Sequence, residues 1–167
     1  MNTDHSPIGL SLEKRKARTN TRMYQWHELS EIDHELVKFV VLIAQYNNQF
    51  IIVKNSKRGG WEIPGGNREP GEPLFTAASR ELYEETGAIQ SDLEPFGIYM
   101  WNGNYGMVFF AEIHLMAELP AYEIEEVKEV DQLPEGLNFG EMFYFVHRKW
   151  TEYEHKNTQT RRMDIRK

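Results

Sequence analysis

Residues Trp61–Ala88 read WEIPGGNREPGEPLFTAASRELYEETGA, a glycine-rich turn that runs directly into a short helix carrying carboxylates. The residues themselves mark the ends of that helix. Pro73 falls just inside its start, where the missing N–H costs nothing, and Gly87 falls just past its last turn, where a left-handed residue closes a helix. Between them Phe75, Ala78 and Leu82 recur at i, i+3 and i+7, the spacing of a face turned to a core. Glu81, Glu84 and Glu85 follow i, i+3 and i+4 on the adjoining stripe, so three carboxylates share one turn.

That placement is poor for stability taken alone. Like charges at these spacings repel, and anions at a helix C-terminus meet the wrong end of the dipole, at a cost of about 0.3–1 kcal/mol each. A hard divalent cation such as Mg²⁺ or Mn²⁺ compensates, because it takes oxygen ligands and commonly binds one or two carboxylates together with substrate phosphates. For an isolated E-x-x-E-E the alternative is an ordinary solvated acidic face.

The motif is not isolated. Gly66, then Glu72 after five residues, then Arg80-Glu81-Leu82-Tyr83-Glu84-Glu85-Thr86-Gly87-Ala88 after seven more, resembles the signature of the Nudix hydrolase family, G-x5-E-x7-R-E-U-x-E-E-x-G-U with U apolar. Every fixed position is filled, a match that chance supplies about once in 10⁸ windows or fewer at ordinary residue usage. The preceding Trp61-Glu62-Ile63-Pro64-Gly65-Gly66 is similar to the strand and turn that lead into the family's box.

The chain is 167 residues long, 40% hydrophobic and 13% aromatic, which suits one globular domain with a core of its own. Zero cysteines exclude a disulfide framework, thiolate zinc sites and a cysteine nucleophile, and agree with a reducing compartment. The N-terminal residues have no apolar run of signal-peptide kind, and Leu36–Ala44, interrupted by Lys38, is too short to span a bilayer. The expectation is a soluble cytoplasmic protein with no membrane partner.

Net charge is −7, unevenly spread. Residues 1–25 carry +3 and residues 156–167 carry +4, which leaves −14 for the middle. An acidic body argues against binding duplex DNA, which depends on phosphate neutralisation by Lys and Arg. The expected organisation is a polar basic N-terminal tail at 1–22, one domain at 23–156 and a basic C-terminal tail at 157–167. Solvated ends are the plain reading of those tails, and contact with RNA is the other.

Along the domain, Val37–Gln45 and Phe50–Lys54 are β-branched and aromatic runs around Asn47-Asn48, a hairpin pattern. Lys57-Arg58-Gly59-Gly60 is a basic loop beside the box; its plain role is a turn, and its cations could hold terminal phosphates. After the helix, Phe96–Trp101 and Gly106–Glu118 read as strands joined by Asn102-Gly103-Asn104-Tyr105, and a further strand includes Glu126–Val130. From near Phe139, the residues Phe143, Val146, Trp150 and Tyr153 form the apolar stripe of a second helix. Strands before, between and after two helices give an α/β or α+β class with a mixed sheet. The resemblance implies more: an α/β/α sandwich with a loop-helix-loop box on one side.

The resemblance also implies hydrolysis of a nucleotide pyrophosphate linkage with Mg²⁺ or Mn²⁺. Carried over by position, Glu84 and Glu85 are the central metal ligands, Glu81 a ligand or base, a carbonyl of the Gly65-Gly66 pair, taken as that of Gly66, a further ligand, Glu72 a support, and Arg80 a partner that fixes a box carboxylate. Many members add a carboxylate from outside the box, and register with Leu133-Pro134 favours Glu123, then Glu126, as metal ligand or general base. Trp101, Tyr99 and Phe139 could stack on a base, and Asn102 or Asn138 could read a purine edge; as isolated residues these are more often packing and turn formers.

Substrate markers divide. Where ADP-ribose-cleaving members carry a proline beyond the box, this chain has Asn102-Gly103-Asn104. Where dinucleoside polyphosphate and RNA 5′-end enzymes carry a tyrosine, it has Tyr105. The segment Glu123–Leu137 and the aromatic helix after it look like the MutT-type enzymes that hydrolyse 8-oxo-dGTP and other nucleoside triphosphates, which makes a MutT-like nucleoside triphosphate pyrophosphohydrolase the favoured expectation. RNA 5′-pyrophosphohydrolase or dinucleoside polyphosphate hydrolase is the alternative within the class. A non-catalytic nucleotide-sensing module is the alternative outside it, although such loss of chemistry is usually written as loss of box carboxylates. No G-x-x-x-x-G-K-[ST], G-x-S-x-G or H-E-x-x-H occurs.

Overall fold

The structure, a computed structural model, describes residues 24–164, with side chains through Gln159. The expected tail at 1–22 therefore lies outside the described residues. Eight strands form one mixed sheet: β1 (Gln25–His27), β2 (Val37–Tyr46), β3 (Gln49–Asn55), β4 (Trp61–Glu62), β5 (Gly65–Asn67), β6 (Ala88–Trp101), β7 (Asn104–Met116) and β8 (Ile124–Val130). The order is β1-β6-β7-β2-β3-β4, with β5 paired to β2 and β8 paired to β3. β2 and β7 run parallel; the other pairs are antiparallel.

Strand β2 is buried on both faces, and its alternation divides the core. Val37, Val40, Leu42 and Ala44 join Leu74, Ala77, Ala78 and Leu82 of helix α1 (Leu74–Thr86) in one apolar cluster. Val41 and Ile43 join Phe143, Val146 and Trp150 of helix α2 (Met142–Asp164) in the other. Period-two side chains of a central strand thus meet a helix on each side, which is the α/β/α sandwich with a mixed sheet that was expected.

The β2–β3 hairpin turns on Asn47 and Asn48, at φ 51° and 63°, the pair of left-handed residues a tight two-residue turn requires. α1 ends as expected on Gly87 at φ 81°, whose N–H returns to Tyr83 O at 2.8 Å. Its start differs by one position: Pro73 is the N-cap in extended conformation, not the first helical residue. The core-facing stripe is Leu74, Ala77, Ala78 and Leu82, and Phe75 is 54% exposed with its ring edge-on to Phe109.

Strand β6 begins at Ala88, well before the expected Phe96. Its first half is largely exposed, and Pro95 follows at its middle, where a ladder accepts proline at an irregularity: the β6–β7 register shifts between Pro95 and Gly97. α2 carries the expected stripe, begins at Met142 and continues through Asp164, past the boundary drawn for the C-terminal tail. Among the described residues no helix is long and apolar enough to cross a membrane.

Candidate functional site

The site begins where β5 passes α1. Pairing of Gly65–Asn67 with Phe39–Val41 of β2 lays the glycine pair alongside the helix. Glycine suits both positions: a Cβ on Gly65 would lie 2.4 Å from the Val40 carbonyl oxygen, and one on Gly66 would lie 2.3 Å from Glu81 Oε1 and displace that carboxylate. The Gly65 N–H donates to Glu85 Oε1 at 2.9 Å. Two helix carboxylates are thereby gathered against one short glycine strand.

Arg80 secures the other side of the same turn. Its Nε and Nη2 donate to the two oxygens of Glu72 at 2.8 and 3.0 Å, Nη2 also to Asn67 O at 3.0 Å, and Nη1 to Glu81 at 3.0 Å and Glu84 at 3.3 Å. The Arg80 hydrogen bonds hold Glu72 below the usual carboxylate range. Arg80 does not line the cleft described below; its contacts fix the rotamers of the carboxylates around it.

Glu85 lacks such a partner. Burial pushes its carboxyl up to about 8; the Gly65 N–H opposes the shift, and the charges of Glu81 and Glu62 add to it. Burial also raises Glu81, against the pull of Arg80. The turn is therefore short of positive charge, with one guanidinium shared among Glu72, Glu81 and Glu84. A set of oxygen donors that is half-buried, crowded and under-compensated fits a hard divalent cation, with Glu81, Glu84, Glu85 and the Gly66 carbonyl as the residues that would hold it.

A pH dependence follows from the same groups. Glu85 binds its proton more tightly folded than unfolded, so between the unfolded value near 4.5 and the folded value of about 8 the native state holds the extra proton, and stability falls as pH rises. In chelator, the melting temperature is expected to drop from pH 5 to pH 8. Glu85→Gln should flatten that slope, and added Mg²⁺ should raise the melting temperature most at the alkaline end. A metal-free protein whose stability rises across this window contradicts the assignment.

The carboxylates open onto a cleft of about 660 Å³, a size usual for small-molecule sites. Of the residues singled out in the sequence, Gly65, Gly66, Glu81, Glu84, Glu85, Glu123, Arg58, Tyr99, Trp101, Asn102 and Phe139 line it, and Asn138 does not. Trp101 and Phe139 meet edge to face at 5.5 Å, and the Arg58 guanidinium lies 5.4 Å above the Phe139 ring. Glu123 pairs with Lys57 Nζ at 2.9 Å, which holds its carboxyl below the ordinary range.

One expected contact is corrected. Tyr105 does not line the cleft: the turn before it consists of Asn102 and Gly103 alone, at φ 49° and 78°, so Tyr105 already belongs to β7. Its ring packs on the α1 side of the sheet, edge-on to His27 at 5.8 Å. Other lining residues escaped the sequence reading, among them Phe39, Asn55, Glu62 and Tyr122. Only Glu62 carried a signal, a carboxylate just ahead of Pro64-Gly65-Gly66 within an otherwise apolar approach. A separate exposed group, Asp92, Glu112 and His114 on the β6–β7 ladder, brings its ligand atoms within 4.8 Å of one another and is not part of the cleft lining.

The family profile of the NUDIX domain matches residues 34–141. The Bacillus subtilis protein named "Putative 8-oxo-dGTP diphosphatase YtkD" is 32% identical over 114 residues, 65% of this chain and 72% of that protein. Among solved structures, the Bacillus subtilis pyrophosphohydrolase BsRppH superposes with a TM-score of 0.65 at 24% identity, covering 78% of this chain and 90% of that one. A UDP-X diphosphatase superposes with a TM-score of 0.54 at 16% identity, covering 84% of this chain and 72% of its own. Both likenesses are of fold.

Proposed function

The chain belongs to the Nudix hydrolase family, enzymes acting on phosphoric anhydride bonds, and from that premise we propose that it is a divalent-metal-dependent nucleoside triphosphate pyrophosphohydrolase of the MutT kind, acting on 8-oxo-dGTP or a related nucleotide. The observation that carries this reading is the composition of one cleft. Carboxylates suited to a cation and an aromatic pair with neighbouring amides, Trp101, Phe139, Asn102 and Asn104, line the same space, and Arg58 touches the aromatic wall. A nucleotide offers a base to the rings and a phosphate chain to the cationic groups. The name carried by the YtkD relative supports the same substrate class.

When bound, Mg²⁺ or Mn²⁺ supplies charge neutralisation at the phosphate oxygens and lowers the pKa of a water. The chain's own residues do the rest. Glu81, Glu84, Glu85 and the Gly66 carbonyl hold the cation, and Arg80 with Glu72 keeps their carboxylates in place. Glu123 accepts the proton of the attacking water at a carboxylate oxygen. As the water oxygen bonds to phosphorus, the anhydride P–O bond breaks, giving a nucleoside monophosphate and pyrophosphate. Trp101 and Phe139 hold the base.

The test is turnover by the full chain with Mg²⁺ or Mn²⁺ against 8-oxo-dGTP, dGTP, diadenosine polyphosphates, triphosphorylated RNA and ADP-ribose. A kcat/KM for 8-oxo-dGTP or dGTP at least about tenfold above the other three is expected, a margin of roughly 1.4 kcal/mol in transition-state binding. A preference for triphosphorylated RNA or diadenosine polyphosphates replaces the substrate reading. Binding without turnover of any of them replaces it with a nucleotide-sensing module.

A further inference from the structure

Glu62 is a carboxylate that the chemistry above leaves unused. It lies on β4, lines the cleft, and has a side chain only 5% exposed. A carboxylate so covered requires a counter-charge and hydrogen bonds. Arg58 supplies both: Nε lies 3.0 and 3.3 Å from the two oxygens, and Nη2 lies 2.7 Å from Oε1. These contacts occupy the side-on edge of the guanidinium. Its end-on edge stays available, because Nη1 has no hydrogen-bond partner among the described residues and the Arg58 side chain is 51% exposed.

The segment that carries Arg58 is held at several points. Asn55, itself buried, accepts through Oδ1 from the N–H groups of Lys57 at 2.9 Å and Arg58 at 3.0 Å. Asn138 donates from Nδ2 to Gly59 O at 2.7 Å and from its backbone N–H to Trp61 O at 2.8 Å. The guanidinium then rests over the Phe139 ring. A simple turn needs a reversal of the chain and gains nothing from orienting one arginine.

We propose that Glu62 is a positioning residue for substrate: it fixes the Arg58 guanidinium by one edge against the Phe139 wall, so that the other edge receives the phosphate chain. This rests on the nucleoside triphosphate reading of the same cleft. The chemistry is particular to arginine, whose planar fork holds a carboxylate on one edge and a phosphate on the other, whereas a lysine ammonium presents a point charge without that geometry.

The test is steady-state kinetics on the preferred nucleoside triphosphate with Glu62→Gln, Arg58→Lys and the double variant, with melting temperature measured beside them. Glu62→Gln and Arg58→Lys are each expected to raise KM by about tenfold, the loss of one charge-assisted hydrogen bond, with kcat within about twofold. The double variant should be no worse than Arg58→Lys alone, since Glu62 acts through Arg58. A lowered melting temperature with unchanged KM shows a merely structural ion pair and overturns the proposal. So does a fall in kcat at constant KM, which would place Glu62 with the cation-holding carboxylates, and so do effects that multiply in the double variant.

If Glu62→Gln does not fold, Arg58→Lys decides, as a charge-conserving change at a half-exposed residue. If the wild-type chain turns over no nucleoside triphosphate, the substrate reading fails by itself, and calorimetry with inorganic tripolyphosphate and Mg²⁺ decides this one. Affinity about tenfold weaker in both single variants supports it; equal affinity overturns it.

Discussion

Glu85→Gln is expected to lower turnover by about 10²–10⁴-fold, beyond the 10–100-fold that loss of a supporting partner around a metal typically costs, while the metal-free protein keeps or gains stability. The two halves of that result have one cause. Glu85 is a half-buried carboxylate near the C-terminal end of α1, with a Gly65 N–H as its hydrogen-bond partner and further carboxylates beside it. Glutamine keeps the Gly65 hydrogen bond through its own oxygen, replaces a carboxyl that is protonated in the metal-free protein below about pH 8, and above that pH removes a charge from the unfavourable end of the helix dipole. What it removes besides is an anionic ligand. The measurement pairs kcat at saturating Mg²⁺ with melting temperature in chelator and in Mg²⁺: the variant should lose the stabilisation by Mg²⁺ together with the turnover. Near-normal kcat in Glu85→Gln would falsify the assignment of Glu85 to the cation.

The parts of this site that were legible in the sequence are those fixed by local chain geometry. A helix with Gly87 past its end and carboxylates at i, i+3 and i+4 places Glu81, Glu84 and Glu85 together whatever surrounds it, and the glycine pair Gly65-Gly66 lets the backbone come close to its neighbours. Side chains on strands were harder to place, because a change of one position in where a strand begins sends its residues to opposite faces. Tyr105 is such a case. Its sequence context suggests a loop of four residues, whereas Asn102 and Gly103 complete the turn through two left-handed conformations, and β7 starts at Asn104.

Phe139 reached the cleft by a route no periodicity contains. It stands before α2 at φ 65°, uncommon for a bulky residue, with Gly140 at φ 61° after it, and its ring meets Trp101, Phe143 and Arg58. Phe75 is exposed for a simpler reason: Leu74 stands at i−4 and Phe75 at i−3 from Ala78, both spacings suit one helix face, and the core takes Leu74. Glu62 and Asn55 depend on contacts across the Lys57–Gly60 loop, and no linear spacing announces a buried carboxylate whose partner is four residues away around a turn.

Glu123→Gln is expected to lower kcat by about 10²–10⁴-fold with KM changed little, the range for a lost general base. Three carboxylates, Glu123, Glu125 and Glu126, stand in or next to β8, and the fold separates them. Glu125 pairs outside the cleft with Lys54 at 3.1 Å, and Glu126 sits opposite Lys54 in the β3–β8 ladder. Of the three only Glu123 lines the cleft, and its backbone is pinned there by Ser56, whose N–H and Oγ both donate to its carbonyl, at 2.8 and 2.9 Å. Lys57 keeps the Glu123 carboxyl below the ordinary range, so it is ionised throughout the neutral region. Glu81, by contrast, is already engaged by Arg80 at 3.0 Å and sits among the groups that would hold the cation, where a carboxylate bound to metal has little basicity left. The parallel variants Glu125→Gln and Glu126→Gln should stay within about twofold of wild type, the ordinary effect of an exposed substitution away from the chemistry. A large loss in Glu126→Gln with none in Glu123→Gln would move the base along the strand; unchanged kcat in all three would return the role to Glu81.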